Sequence, residues 1–121
     1  SLRQAAGMKL IAEDGDLKFY EKENDSLKMD DAKLSKIVYG FYKERFYSVM
    51  VYYDSRENFD KLRKFLSSSY GEPTQPEQSQ GKYFWNGESV NMLLTYDETS
   101  QSGRISCFFK PLQTEVEMNH Q

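Results

Sequence analysis

The chain of 121 residues is short of the residue types on which most catalytic and metal chemistry depends. Cys107 is the only cysteine, so an intrachain disulfide and a zinc site of four cysteines are both excluded. His120 is the only histidine and comes next to last, so a catalytic triad would have to recruit the end of the chain. We therefore expect no catalytic residue of these kinds and no metal site.

Long apolar runs and a general excess of positive charge are also lacking. Apolar runs such as 83–85 and 92–94 fall far short of the roughly 20 residues that a membrane-spanning helix needs. The net charge is −3, whereas binding to nucleic acid depends on clustered lysine and arginine. We expect neither a transmembrane segment nor a nucleic-acid partner.

Motifs for nucleotides, calcium and acid–base catalysis are missing as well. The seven glycines are scattered singly, without a phosphate-binding pattern, so we expect no cofactor. Residues 13–16 have the composition of a calcium loop but lack its twelve-residue ligand pattern. The adjacent carboxylates 30–31 and 97–98 fall at predicted turns, and neighbouring residues do not aim at one point. The sequence favours a protein that is not an enzyme.

What the sequence does contain is one amphipathic helix, predicted at about 55–70 within the stretch 54–73. Asp54 can cap its first turn with Glu57 reaching back, and Gly71 followed by Pro73 ends it. Helical spacing gathers its apolar residues on one face, namely Phe59, Leu62, Phe65, Leu66 and Tyr70. We expect this face to pack on a sheet.

The remaining patterns are typical of strands. Residues 36–43 and 45–53 are apolar on both faces and predict two paired strands at the middle of a sheet, with Tyr47 on the same side as Val49. In the second half, Asn86-Gly87 predicts a type I′ hairpin turn. The other predicted strands are 8–13, 17–22, a short one at 26–29, 82–85, 88–96 and 104–110.

Strands, one helix and then strands again predict an α+β fold. We expect an antiparallel sheet of about seven or eight strands packed on the single central helix. Residues 8–112 would form one domain, 1–7 a leader or truncated element, and 113–121 a flexible polar tail.

Three stretches together carry a resemblance to known proteins. These are YGFYKERFYSVMVYY at 39–53, the helix exit Tyr70-Gly71-Glu72-Pro73, and the hairpin that contains Trp85. In this pattern the chain resembles small bacterial α+β domain proteins of unknown function that are often exported. The resemblance implies a location in the periplasm or the cell envelope, and it does not exclude the cytoplasm. It implies no activity and no catalytic residue.

Aromatic residues make up 15% of the chain, with nine tyrosines, eight phenylalanines and one tryptophan. One helix cannot cover both faces of the central strands, so other parts of the chain must cover the rest or leave an aromatic patch exposed. Tyrosine and tryptophan rings can expose a polar edge to water, so they are the expected patch members. The candidate binding patch is Tyr39, Tyr42, Tyr52, Tyr83 and Trp85.

Two functions remain open at this point. The favoured one is a non-enzymatic binding domain of a bacterial envelope or secreted protein, which contacts a protein partner or a second copy through an aromatic sheet face or a strand edge. The alternative is a carrier or sensor of a small ligand, held in a pocket between the helix and the sheet.

Overall fold

The computed structural model of the chain describes residues 7–74 and 81–119, and it has an α+β fold. The elements in chain order are β1 (Met8–Asp14), β2 (Leu17–Lys22), β3 (Lys28–Met29), β4 (Ala32–Lys33), β5 (Lys36–Tyr42), β6 (Arg45–Asp54), α1 (Arg56–Tyr70), β7 (Lys82–Asn86), β8 (Val90–Asp97), β9 (Ser102–Phe109) and α2 (Lys110–Asn119). The fold class and the order of the elements confirm the prediction. The predicted leader lies outside the described residues except for Gly7.

The main sheet has seven antiparallel strands in the order β1-β2-β5-β6-β9-β8-β7, and β3 and β4 form a separate ribbon. After β6 the chain passes through α1 to the far edge, and β7, β8 and β9 then return towards the middle. The central strand is therefore β6, which pairs with β5 on one side and with β9 on the other. This confirms the prediction that the strands with two apolar faces lie inside the sheet.

The apolar face of α1 packs on the sheet through Phe59, Leu62 and Leu66, which are 3% exposed or less. The β3–β4 ribbon closes this core beside the start of the helix, where the Lys33 backbone N–H donates to the Asn58 side chain. The prediction that Tyr70 belongs to the buried face is wrong, because α1 ends at Tyr70, which borders an open cavity and is 63% exposed.

A stack of aromatic rings fixes the start of α1 on the sheet. The ring of Phe59 lies 5.0 Å from that of Tyr96, which is stacked on Tyr53 at 6.4 Å. Gly103 is the cross-strand partner of both tyrosines, and a Cβ there would overlap the Tyr53 ring and the Thr95 carbonyl. Glycine is therefore required at this position because the tyrosine ring lies across its backbone.

The helix begins one residue later than predicted. Asp54 pairs with Ser102 and extends β6, so Ser55 is the N-cap and its hydroxyl oxygen accepts the Asn58 backbone N–H at 3.4 Å. Glu57 does not complete a capping box at Asp54 but pairs with Lys61 one turn later, at 3.3 Å.

A type I′ turn is present in the β5–β6 hairpin and not at Asn86-Gly87, where it was predicted. Lys43 and Glu44, between β5 and β6, have φ of 49° and 66°, as a two-residue I′ turn requires. The β7–β8 hairpin is confirmed, but Asn86 and Gly87 do not have positive φ. Asn86 remains paired in β7, so the chain turns later and the Gly87 N–H donates to the Val90 carbonyl at 2.9 Å.

A β-bulge in β6 reverses part of the predicted side-chain pattern. Gly40 pairs with Ser48 and Phe41 with Phe46, so Tyr47 is an extra residue on this strand. The bulge directs Tyr47 into a cluster with Tyr42, away from Val49, and sets Phe46 beside Phe41. The predicted shared face of Tyr47 and Val49 is therefore wrong.

The prediction of a polar tail from residue 113 is also wrong over 113–119, where the chain is helical. Pro111 lies in the first turn of α2, a position that does not need its missing N–H. Leu112 and Val116, one turn apart, pack on Tyr42 and Tyr47 and are 7% and 8% exposed. Phe108 packs in this cluster, whereas its neighbour Cys107 packs under α1. Because neighbouring residues of a strand point to opposite faces, the two helices cover opposite faces of the sheet.

Replacing Leu62 with alanine tests the burial of α1. Leu62 is fully buried, so Leu62→Ala is expected to lower the free energy of unfolding by about 2 to 5 kcal/mol through lost burial and a cavity. The measurement is chemical denaturation. The exposed neighbour Lys64→Ala is the control and should change it by less than about 0.5 kcal/mol. A loss below about 1 kcal/mol for Leu62→Ala would contradict the packing described.

Candidate functional site

The five residues of the predicted binding patch do not form one surface. Tyr52 lies between Val51 and Tyr53, which face α1, so its side chain is on the opposite face. Tyr42 is on that opposite face too, under α2. The other three members lie on the α1 face, but in two places: Tyr83 and Trp85 on β7, and Tyr39 on β5.

Two patch members are buried, which contradicts their predicted exposure. Tyr42 is 1% exposed because α2 covers it, and Trp85 is 5% exposed beneath the end of α1. The Trp85 ring N–H donates to the Gly71 carbonyl at 2.9 Å. It thereby satisfies a carbonyl just after the helix, so Trp85 has a structural role at this position.

The other patch members are half-buried. The Tyr83 ring lies between Phe59, at 6.0 Å, and the Arg63 guanidinium, at 5.4 Å. On the opposite face, the Lys36 ammonium lies 5.2 Å from the ring centroid of Tyr52. Each of these rings already has a cationic neighbour at its face, an arrangement that stabilises an exposed ring edge.

Tyr39 is part of an apolar surface that sequence reasoning did not assemble. We call it the aromatic surface, and its members are Leu10, Tyr20, Tyr39, Phe41 and Phe46. Leu10, Tyr20 and Tyr39 are directly opposite one another across β1, β2 and β5. The ring of Phe41 lies 5.5 Å from Tyr20 and 5.6 Å from Phe46, and Phe46 is 6.4 Å from Tyr39.

The aromatic surface continues the α1 face beyond the reach of the helix. Tyr39 is opposite Val49, which packs in the core beneath α1, so the two share a face. Leu10 is 46% exposed and Phe46 41%, while Phe41, whose ring contacts those of Tyr20 and Phe46, is buried. Apolar side chains from four strands thus meet on one exposed area, which is uncommon unless something binds there.

An acceptor outside the sheet holds Tyr39 in place. Its hydroxyl donates to the Asp25 carboxylate at 2.7 Å. Burial, together with this hydrogen bond and the negative charge of Asp25, raises the pKa of Tyr39 to about 12. The ring is therefore fixed in orientation and neutral at physiological pH.

Two local features explain why the sequence did not reveal this surface. Tyr20 alternates with Phe19, so simple alternation places it on the side of β2 that carries Lys18 and Lys22. The bulge at Tyr47 shifts Phe46 to the side of Phe41, although simple alternation places it elsewhere. The tight turn after β5 was a usable signal for one pair, because it places Phe41 opposite Phe46. The turn after β1 does not place Leu10 opposite Tyr20, because the bulge at Ile11 shifts the register between them.

The edge strand β1 beside this surface is interrupted. Ile11 is an extra residue in its pairing with β2, and it is 41% exposed. Charged residues flank it on the same strand, Lys9 on one side and Glu13 and Asp14 on the other. Bulges and charges of this kind oppose the addition of a further strand.

A cavity of about 570 Å³ lies at the other end of the α1 face, between the C-terminal end of α1 and the β7–β8 hairpin. Trp85, Met92 and Cys107 are apolar residues in its wall, and Glu72 and Glu88 contribute carboxylates. Its volume is in the range of small-molecule sites. This is the kind of pocket that the carrier hypothesis requires.

Two kinds of chemistry are relevant in the described residues, that of the Cys107 thiol and that of metal-binding clusters. Burial raises the pKa of the Cys107 thiol to about 11, so it is protonated at neutral pH. Within 7–74 and 81–119 no cluster of three or more histidine, cysteine or acidic residues could hold a metal ion. In the same ranges neither helix is long and apolar enough to cross a membrane. His120 lies outside the described residues.

The fold and the two sites define a small α+β domain in which α1 covers only part of one face of the main sheet. The chain belongs to the TP0088 domain family, whose profile matches residues 5–104. That match contains the whole aromatic surface and ends before α2. No curated protein and no solved structure is significantly similar to the chain.

The environment of Tyr39 can be tested by titration. Its folded-state pKa of about 12 is above the usual 10, so its contribution to stability is complete below pH 10 and is lost as the pH rises towards 12. We expect Asp25→Asn to lower this pKa, as measured by NMR of the tyrosine ring carbons and assigned with Tyr39→Phe. Asp14→Asn, on β1, is the control and should leave the pKa unchanged. An unchanged pKa in Asp25→Asn would refute the contact.

Proposed function

We propose that the chain is a non-enzymatic interaction domain that binds a protein partner through the aromatic surface. The observation that carries this proposal is the exposure of Leu10 and Phe46 on a part of the sheet that α1 does not cover, in one surface with the half-buried Tyr20 and Tyr39 and the buried Phe41. Large, rigid aromatic side chains lose little conformational entropy on binding, and they commonly supply most of the binding energy at interfaces.

The face of the sheet is better suited to this role than its edge. Strand addition needs a regular row of free backbone groups, and the bulge at Ile11 disturbs that row on β1. The Phe41 ring, in contrast, packs against Tyr20 at 5.5 Å and against Phe46 at 5.6 Å, so these rings are pre-organised for docking. The proposed partner therefore presents apolar side chains to this face.

The proposed location of the protein is the periplasm or envelope of a bacterium, or the exterior of the cell. Its support is the resemblance of residues 39–53 and of the helix exit to exported bacterial proteins. The natural, unprocessed N-terminus tests it. A basic start followed by an apolar stretch and a cleavage site would support export. A natural product that begins within a few residues of Ser1, without such a stretch, would refute it.

Photo-crosslinking in the native host tests the proposed surface. A photoreactive amino acid at position 46 is expected to capture a partner protein, because Phe46 is exposed and its ring contacts Tyr39 and Phe41 in the aromatic surface. The captured partner is then titrated against the purified domain. Phe46→Ala should weaken binding at least about tenfold, since truncation of an aromatic interface residue commonly has an effect of this size.

Phe109 provides the matched control, because it is 44% exposed against 41% for Phe46 and does not belong to the aromatic surface. Phe109→Ala should leave affinity within about twofold, and a photoreactive group at position 109 should not capture the same partner. Capture of a second copy of the chain at position 46 would replace the proposed partner with self-association. Equal effects at both positions would overturn the proposal.

A second candidate function is the binding of a small ligand in the cavity beside Trp85. Its specific support is a volume of about 570 Å³ with an apolar wall that includes Met92 and Phe84. Native mass spectrometry of protein purified from its host is the direct test. A bound non-protein mass that is lost on denaturation would favour this function over the first.

A further inference from the structure

We propose that the cavity beside Trp85 binds a small organic ammonium ion with an apolar body. This inference deepens the second candidate function and rests on it. The argument combines three properties of the walls, namely their charge, their aromatic rings and their protonated thiol, with the position of the helix terminus.

The charge of the walls is of one sign. Glu72 follows α1 and Glu88 lies in the β7–β8 connection, so two acidic residues line the cavity from different parts of the chain. Among the described residues that line it, none is lysine or arginine. Lys110 adjoins the rim through its backbone, which donates to the Ser89 carbonyl, but it is not part of the lining. The lining therefore complements a cation.

The end of α1 adds to the negative potential. Tyr70 is the last residue of the helix and lines the cavity, so the C-terminal end of the helix dipole lies at its wall. The last turn of α1 contains no basic residue that would offset it. A cation in the cavity would therefore be stabilised by the helix terminus as well as by the two carboxylates.

Aromatic rings supply contacts for the body and the charge of the same ligand. Tyr70 and Trp85 line the cavity, and a ring face attracts an ammonium group. Trp85 is fixed by its hydrogen bond to the Gly71 carbonyl, so its orientation is set before a ligand arrives. Val90 and Met92 provide apolar surface for the rest of the ligand.

Cys107 does not compete with this assignment. It lines the cavity, and its buried thiol is protonated at neutral pH, so it contributes neutral surface rather than a thiolate. A quaternary or primary ammonium ion is thus attracted by carboxylates, rings and the helix end without covalent chemistry.

The test compares three probes of similar shape: phenethylammonium, phenethyl alcohol and hydrocinnamate. Trp85 is the only tryptophan in the chain, so its fluorescence reports on the cavity directly. Isothermal titration calorimetry provides a second readout. We expect the ammonium probe to bind about fivefold to tenfold more tightly than the alcohol, and the carboxylate probe to bind most weakly.

The double variant Glu72→Gln/Glu88→Gln should reduce the preference for the ammonium probe to below about twofold. Glu13→Gln/Glu23→Gln makes the same change in net charge on the exposed β1–β2 hairpin and should leave the preference unchanged. Equal binding of the ammonium and alcohol probes would overturn the charge inference and leave the carrier function standing. If no probe changes either readout, both are overturned.

Discussion

The docking of Phe59 on the stacked rings of Tyr96 and Tyr53 determines where α1 lies, and the placement of both candidate sites follows from it. The stack forms because Gly103 leaves space for the Tyr53 ring across the backbone of β9. Since α1 is the connection that carries the chain from the centre of the sheet to its far edge, fixing its first turn also fixes its direction. The helix therefore covers β6 and β8 and leaves the β1 side of the same face open.

The two candidate sites lie on opposite sides of the sheet area that α1 covers. On the β1 side, the aromatic surface begins where Tyr39 and its partner Val49 leave the core. At the end of α1, the helix stops at Tyr70 before the hairpin does, and the space between them is the cavity. A shorter or longer helix would expose or close a different part of the sheet. Function is thus expected where the one large helix does not reach.

Much of the fold could be predicted because the relevant signals are local. The helical spacing from Phe59 to Leu66 and the strand predicted at 88–96 depend on residues close together in sequence, and the structure confirms both, the strand as β8. The errors occur where a distant partner decides. Asp54 is held in β6 by Ser102, and the bulge at Tyr47 is defined only by its pairing with β5. The α2 helix is a further case, since its helical form accompanies the packing of Leu112 and Val116 on Tyr42 and Tyr47.

The candidate site was harder to predict than the fold because exposure is a property of the assembled sheet. Tyr42 and Trp85 had suitable chemistry for a binding patch, but α2 and the end of α1 bury them. Nothing in the sequence distinguishes Leu10 and Phe46 from other strand residues, and only the register places Leu10 opposite Tyr20 and Phe46 beside Tyr39 and Phe41. The family match covers residues 5–104, which include every member of the aromatic surface and every lining residue of the cavity except Cys107, and exclude α2. The family match therefore does not separate the two candidate sites. The exposure of Leu10 and Phe46 on sheet area that α1 does not cover is what favours the aromatic surface.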